Sequence, residues 1–162
     1  MAHKILLAKD TRLLDEAYRL RHQVFVEEEG LLQPSQDLRI VDRFDAYPST
    51  HNLVVTAGEQ VIGCFRLALD SSQGVPADDY YDFRSALPPD SRIIHSSFLC
   101  VTRSQRTPRL AMGLGLMAAY FADAHSVTHV VAPINPRLAK WLMRTGYQPV
   151  GDAFTEPRTG AR

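Results

Sequence analysis

The chain has few of the residues that cross-link small proteins or bind metals. It contains only two cysteines, Cys64 and Cys100, and each lies in an apolar stretch rich in β-formers, where cysteine usually packs as a small hydrophobe. We therefore predict no structural disulfide. The sequence also has no CxxC or HExxH spacing, the patterns typical of zinc sites, so we predict no bound metal.

The chain also lacks a net charge and a long hydrophobic run. Acidic and basic residues balance at 18 each, so no overall field attracts nucleic acid or an anionic membrane. No run approaches the ~20 apolar residues that span a bilayer, and the N-terminal apolar stretch is too short for a signal peptide. We expect a cytoplasmic protein without a membrane span or a nucleic-acid partner, folded as one domain over residues 1–162.

Hydrophobic periodicity predicts a mixture of strands and helices. A short first strand precedes an amphipathic helix that starts at Asp10 or Thr11 and stops at Gly30. Two strands then form a hairpin, and after an irregular stretch the run IIHSSFLCV (93–101) is the next strand. A basic loop, a helix, a strand, a helix starting near Pro136 and a last strand over 148–154 follow. This order predicts an α+β protein with helices packed on one central sheet.

Two arginines do not fit an ordinary surface. Arg21 shares the apolar stripe of the first helix. Strand alternation places Arg66 on one face with Ile62, Cys64 and Ala68, opposite Val61, Phe65, Leu67 and Leu69, so both faces are apolar. A buried guanidinium needs a carboxylate. Asp42 and Asp45, in the irregular loop between the first helix and the hairpin, are candidates. A network of these four would order the loop over the sheet, either as a purely structural salt bridge or to present charge to a polar substrate.

His95 is the candidate base. Alternation places it on the face shared by Ile93, Ser97, Leu99 and Val101. A histidine in a strand is more often a core residue than a catalyst. With an ordinary pKa near ~6.5, however, its imidazole is suited to take a proton from an amine.

Several stretches together resemble a known superfamily. The segment from Asn135 to Gly151, after a strand, basic loop, helix and strand, resembles the late helix of the GNAT acyltransferases. The stretches LRHQVF (20–25), VDRFD (41–45) and IGCFRL (62–67) are similar to the autoinducer (acyl-homoserine-lactone) synthases and the long-chain N-acyl amino acid synthases within that superfamily. The resemblance implies the GNAT, or acyl-CoA N-acyltransferase, fold, with a central mixed and mostly antiparallel sheet flanked by helices.

The resemblance also implies a site. It implies a network of Arg21, aspartate and Arg66 beneath a capping N-terminal region. It further implies a V-shaped opening in the sheet, where the pantetheine arm of an acyl donor lies against residues 97–101. The expected donor-binding residues are Phe98, Leu99, Cys100, Val101, Arg103, Arg106, Arg109 and Asn135.

The chain departs from the family pattern at three places. The family strand reads Glu-x-Ser-Arg-x-x-Val, so His95 stands where the glutamate would be and Phe98 where the arginine would be. The loss of that arginine weakens the case for homoserine-lactone synthesis. The usual Arg/Gln-x-x-Gly-x-Gly/Ala phosphate loop is RTPRLA here (106–111), which suits one phosphate held by arginines better than tight CoA wrapping. Leu142 replaces the tyrosine acid of many GNAT enzymes.

The sequence therefore predicts an N-acyltransferase. The acyl group would move from a phosphopantetheine thioester, on CoA or on acyl carrier protein, to the amine of a small metabolite such as an amino acid. Direct aminolysis needs no covalent intermediate, so Cys100 is not predicted to be a nucleophile. The alternatives are an acetyl-CoA-dependent acetyltransferase and a catalytically silent domain that binds an acyl thioester.

Overall fold

One five-stranded sheet organises the chain, with its strands in sequence order. The computed structural model describes residues 3–155. The first four strands pair antiparallel with their neighbours, and the fifth pairs parallel with the fourth. The strands are β1 (His3–Leu7), β2 (Thr50–Ala57), β3 (Gln60–Leu69), β4 (Ile93–Val101) and β5 (His129–Val131). The predicted mixed, mostly antiparallel sheet is confirmed.

Helices pack on both faces of the sheet, and local sequence explains where they begin. Asp10 accepts a hydrogen bond from the backbone N–H of Leu13 at 2.8 Å and so caps the first helix. Thr107 caps the second helix through the N–H of Leu110, with proline at its first position. The helices are α1 (Thr11–His22), α2 (Pro108–Ala124) and α3 (Pro136–Met143).

The two faces carry separate apolar cores. On one face α2 covers the cluster formed by Leu53, Val55, Ile62, Phe65, Leu67, Ile94, Val101, Leu110, Leu114 and Phe121. On the other face α1 covers the cluster formed by Leu13, Ala17, Leu20, Val24, Val54, Val61, Cys64 and Cys100. Because β3 and β4 lie between these clusters, both of their faces are buried.

Two β-bulges change which side chains share a face. Val55 pairs with Gly63 but the next residue of β2 pairs with Val61, so β3 has an extra residue at Ile62. Ile62 therefore packs with the α2 cluster and Val61 with the α1 cluster, the reverse of the predicted alternation. On β4, Ser97 faces Arg66 and Cys100 faces Cys64, so two residues of β4 lie opposite one of β3.

The bulge in β4 also corrects the predicted surroundings of His95. Ser97 shares its face, as predicted. Val101 instead packs in the α2 cluster, and Leu99 is 41% exposed. The extra residue shifts every side chain that follows to the opposite face.

The predicted last strand over 148–154 is wrong. Pro149 has no N–H to donate to a ladder, and Gly151 has a φ of +64°, which bends the chain out of an extended path. This segment is instead held by Tyr81, whose hydroxyl donates to the Val150 carbonyl at 2.9 Å. The Phe154 ring packs on the Tyr81 ring, with centroids 4.7 Å apart.

The long connections contain short helical turns. After α1 the chain continues as a π-helical turn, Gln23–Glu28, and Gly30 ends it with a φ of +64°. Further 3₁₀ turns cover Arg43–Ala46, Pro76–Asp79, Arg84–Ala86 and Arg103–Gln105. Within residues 3–155, no helix has the length and apolar character needed to cross a membrane.

Candidate active site

Arg21 lies at the end of α1 and is fully buried. Its Nη1 donates to both carboxylate oxygens of Asp45, at 3.0 and 2.9 Å, and to the Ile40 carbonyl at 3.2 Å. Its Nη2 donates to Oδ1 of Asn52 on β2. Burial disfavours its charge, but Cys64 and Asp45 outweigh this effect and raise the pKa of Arg21 above its ordinary value.

Arg66 lies on β3 and is also fully buried. Its Nη1 donates to Asp42 at 2.7 Å and to Asp45 at 3.2 Å, and its Nε donates to the Ser97 hydroxyl of β4 at 2.9 Å. Burial lowers the pKa of Arg66, and the two carboxylates only partly oppose that shift. Both arginines are charged at neutral pH, because a guanidinium does not lose its proton in proteins.

The two aspartates are held by one short 3₁₀ turn. Asp42 caps the turn by accepting from the N–H of Phe44 at 2.9 Å, and Asp45 accepts from the N–H of Asp42 at 3.1 Å. The buried ring of Phe44 anchors the turn to the core. The structure thus brings Arg21, Arg66, Asp42 and Asp45 together, as the sequence predicted, and ties the loop after α1 to the sheet.

Only one member of this network reaches the surface. The side chains of Arg21 and Arg66 are 0% exposed, that of Asp45 is 4% exposed and that of Asp42 is 24% exposed. The two positive and two negative charges balance, so the cluster is neutral as a whole. A polar ligand approaching from solvent would therefore meet Asp42 first.

Phe98 occupies the position of the missing family arginine. Its ring lies against both guanidiniums, with the Arg21 and Arg66 Cζ atoms 4.5 and 4.6 Å from the centroid. The Phe25 ring meets it edge-on at 5.7 Å. Phe98 has a φ of +52°, a strained conformation for a residue with a Cβ, and it lies in the β4 bulge. The bulge is therefore stabilised by the charged network beneath it.

His95 lies in the middle of the sheet and is fully buried. It pairs with Ala68 of β3 and with Val131 of β5. It shares a face with Ser97 and is about 7 Å further back along the strand. Asp78 lies near it: burial raises the pKa of Asp78, but Arg84, the Val75 N–H and His95 outweigh burial and bring it below the ordinary value.

The sheet opens between β4 and β5. In the part of the chain that the structure describes, β5 pairs with the first three residues of β4, Ile93–His95. β4 then continues for six residues, Ser96–Val101, beyond the last pair. The predicted contact strand, Phe98–Val101, lies in this region, where Leu99 is exposed and the other three side chains are buried.

The three arginines of the basic loop differ in their partners. Arg106 donates to the Val101 carbonyl and forms an ion pair with Glu29 at 3.0 Å. Arg103 donates to the backbone carbonyl of Glu28. Arg109 lies exposed on the first turn of α2. The loop therefore surrounds the helix N-terminus with positive charge, part of which acidic residues after α1 neutralise.

The cysteines face each other across β3 and β4 and are both free and buried. Burial raises the pKa of Cys100 well above its ordinary value and also raises that of Cys64. A thiol that stays protonated is a poor nucleophile. Neither cysteine is therefore equipped for covalent catalysis. Among residues 3–155, no group of three or more His, Cys, Asp or Glu side chains is arranged to hold a metal ion.

The structure adds residues that sequence reasoning missed. Asn52 joins the network through Arg21, and Ser97 joins it through Arg66. Tyr147 follows α3 and lies near Ser96, where β4 leaves β5. Burial raises the pKa of Tyr147, and the nearby Ser96 hydroxyl opposes that shift only in part. Asn135, predicted to contact the donor, is exposed just before α3. Alternation placed Ser97 on the face of His95, but the pairing of Ser97 with Arg66 depends on the register between β3 and β4.

Comparison with known proteins gives a family match and structures with the same fold. The sequence model of a family described as N-acyl amino acid synthase FeeM matches residues 16–162. No curated protein matches the chain. The solved structure of FeeM, an N-acyl amino acid synthase from uncultured soil microbes, superposes with a TM-score of 0.83 at 18% identity, covering 99% of this chain and 86% of that one.

Two autoinducer synthases share the fold. The CoA-dependent acyl-homoserine lactone synthase BjaI, solved with MTA, has a TM-score of 0.80 at 24% identity over 97% of this chain and 79% of that chain. The AHL synthase LasI has a TM-score of 0.71 at 20% identity over 90% of this chain and 78% of that chain. A GCN5-related N-acetyltransferase from Ralstonia eutropha also shares it, with a TM-score of 0.65 at 15% identity over 96% of this chain and 98% of that chain, so the expected GNAT fold is confirmed.

Proposed function

Because the chain belongs to the FeeM family of N-acyl amino acid synthases, and so is an N-acyltransferase, we propose that it acylates an amino acid from a phosphopantetheine thioester. The preferred donor in this proposal is acyl carrier protein, with acyl-CoA as a weaker donor. The acceptor is the α-amine of an amino acid.

The observation that supports the proposal is the part of β4 that extends beyond its pairing with β5. Six residues extend beyond its pairing with β5, contain a strained bulge at Phe98, and lead into a loop with three arginines. An extended pantetheine arm carries amide groups that can pair with a strand edge. The backbone of Phe98, Leu99 and Cys100 would hold the thioester carbonyl, and Val101 would flank the arm.

The phosphate of the donor belongs at the far end of β4. Arg103, Arg106 and Arg109 lie there beside the N-terminus of α2, and arginine pairs strongly with phosphate oxygens. Asn135, at the start of α3, would contact the arm from the β5 side. Pro108 removes one backbone donor from this end of the helix, so side chains rather than a glycine-rich backbone bind the phosphate.

The amino acid acceptor approaches from the face of the sheet that carries the buried charge network. Asp42, the one exposed carboxylate of the network, would bind its ammonium group, while Arg21, Arg66 and Asp45 hold Asp42 and the bulge in place. His95 is the proposed base. Because His95 is enclosed and lies about 7 Å along the strand from Ser97, the proton would reach it through water and the Ser97 hydroxyl on the same face.

The reaction is a direct aminolysis. His95 accepts one proton of the ammonium group, and the freed amine attacks the thioester carbonyl carbon. The C–N bond forms as the C–S bond breaks, and the pantetheine thiolate leaves and takes up the second proton that the nitrogen loses as it becomes an amide. Cys100 forms no bond to the acyl group in this scheme, in agreement with its raised pKa.

Exposed apolar side chains favour a fatty acyl group over acetyl. Leu138, Trp141 and Met143 of α3 are each about half exposed, at 54%, 48% and 48%. Helix α3 is the next element after β5, and Tyr147, just after α3, lies near Ser96 at the opening of the sheet. An acyl chain lying on this helix would cover surface that is otherwise in water.

The test is a donor panel. The purified protein is incubated with acetyl, octanoyl and palmitoyl thioesters of both CoA and acyl carrier protein, together with a pool of amino acids and amines. Mass spectrometry of the products is expected to show N-acyl amino acids from octanoyl or palmitoyl carrier protein. Product from acetyl-CoA alone would identify a conventional acetyltransferase, and donor binding without any product would overturn the proposal.

A further inference from the structure

Two glutamates after α1 contact the loop proposed to bind phosphate. The Oε2 atom of Glu28 accepts from the backbone N–H of Arg103 at 3.0 Å and lies 3.7 Å from Nη2 of Arg106. The Oε1 atom of Glu29 lies 3.0 Å from the same Nη2. Arg103 also donates from its guanidinium to the Glu28 carbonyl. Neither glutamate takes part in the reaction proposed above.

The π-helical turn aims Glu28 at the loop. In a π-helix, residues five apart lie above one another, and here Gln23 donates to Glu28 Oε1 at 3.0 Å while His22 pairs with Glu27 at 3.1 Å. Glu28 is therefore held by Gln23 on one oxygen and by the loop on the other. Its side chain is only 15% exposed, and that of Glu29 is 29% exposed.

These contacts set the charge of the phosphate site. Two carboxylates oppose the positive charges of Arg103, Arg106 and Arg109, which leaves one net positive charge. A phosphopantetheine arm attached to a protein carries a single phosphodiester and matches that charge. CoA brings a diphosphate and a 3′-phosphate, and a phosphate monoester alone carries about −1.5 to −2. The extra phosphates would meet carboxylates instead of unneutralised arginines.

We infer that Glu28 and Glu29 determine donor selectivity, by rejecting the phosphate-rich nucleotide of CoA and admitting the single phosphate of a carrier-bound arm. This inference rests on the proposed function, which places the donor phosphate at the arginine loop. It assigns the two residues a role in specificity and none in the chemical step.

The test compares three donors with the same acyl chain in the Glu28→Gln/Glu29→Gln protein. The donors are octanoyl-CoA, octanoyl-4′-phosphopantetheine and octanoyl-pantetheine, which has no phosphate. Glutamine keeps the size of the side chain and its hydrogen-bonding oxygen, so only the charge changes. We expect kcat/KM for octanoyl-CoA to rise roughly tenfold or more, that for the phosphopantetheine donor to rise less, and that for octanoyl-pantetheine to stay unchanged.

Two further variants make the result specific. Glu27→Gln removes the same charge one residue away, on a side chain that faces His22, and is expected to leave donor preference unchanged. Adding Arg106→Gln to the double variant is expected to abolish the gain for octanoyl-CoA, because Arg106 is the cation that the glutamates neutralise. An equal change for all three donors, or no change for octanoyl-CoA, would overturn the inference.

A binding measurement separates this inference from the proposed function. Calorimetry with free CoA and free 4′-phosphopantetheine needs no turnover. If no protein makes an amide but the double variant binds CoA more tightly than the original chain does, the proposed reaction fails and the selectivity role stands. If CoA affinity is the same in both proteins, or CoA binds neither, the selectivity role fails whatever the donor panel shows.

Discussion

Replacing Asp45 by asparagine tests the buried network most sharply. Asp45 is 4% exposed and is the one carboxylate that contacts both Arg21 and Arg66. The substitution preserves shape but removes the carboxylate charge that Arg21 contacts, and it leaves Arg66 with the charge of Asp42 alone. Breaking a buried ion pair by removing one charge costs about 3–5 kcal/mol. Since whole domains are stable by about 5–15 kcal/mol, the variant should fold but with much of its margin lost.

Urea unfolding followed by circular dichroism measures the effect. With a slope of about 2 kcal/mol per molar urea, the expected loss moves the midpoint down by about 1.5–2.5 M. Asp15→Asn is the matched control, because Asp15 pairs with Arg19 and Arg39 on the surface, where solvent screens the charges. Its midpoint should shift far less.

A double variant separates charge imbalance from lost packing. Arg21→Gln combined with Asp45→Asn removes one charge of each sign, so the pair is expected to destabilise by less than the sum of the single changes. The network does not stabilise the fold by charge pairing if Asp45→Asn shifts the midpoint no more than Asp15→Asn does. The same conclusion follows if the free-energy losses of Arg21→Gln and Asp45→Asn add fully in the double variant.

Three further predictions concern His95, Cys100 and Asp78. His95→Gln should lower kcat about 10²–10⁴-fold without changing donor affinity, and an unchanged kcat would remove His95 as the base. Cys100→Ala should retain turnover, and the native thiols should resist alkylation because burial raises their pKa values; a folded variant without any turnover would contradict direct aminolysis. The lowered pKa of Asp78 means that its charged form is favoured in the folded state, despite the opposing effect of burial. The contribution of the Asp78 charge to stability is present above the unfolded pKa of about 3.9 and is lost as the pH falls through the lower folded pKa. The original chain should therefore lose more stability than Asp78→Asn between about pH 5 and 2, as measured by urea titration at each pH.

The sequence predicted the parts of the fold that local rules determine. Period-3.6 stripes located α1 and α2, and alternating apolar residues located the hairpin and β4. Arg21 and Arg66 could be singled out because each interrupts an apolar pattern, and a buried cation requires a carboxylate. That requirement led to Asp42 and Asp45 before any contact was known.

The features that sequence did not predict depend on tertiary contacts. The bulges at Ile62 and Phe98 are register shifts between strands, and β4 contains no glycine or proline that would indicate a left-handed conformation at Phe98. Glu28 and Glu29 look like an ordinary solvated helix face until the π-helical turn and the basic loop are seen together. The strand expected over 148–154 failed because Pro149 and Gly151 outweighed its apolar residues.

In the proposed reaction, the amine of an amino acid directly attacks a phosphopantetheine thioester. The most direct measurement follows thiol release and N-acyl amino acid formation in the same reaction, using octanoyl or palmitoyl carrier protein and the amino-acid pool. We predict that thiol and amide appear together in equal amounts, with no acyl group on the protein at any time. Thiol released without amide, or an acyl-enzyme that precedes the amide, would contradict direct attack by the amine.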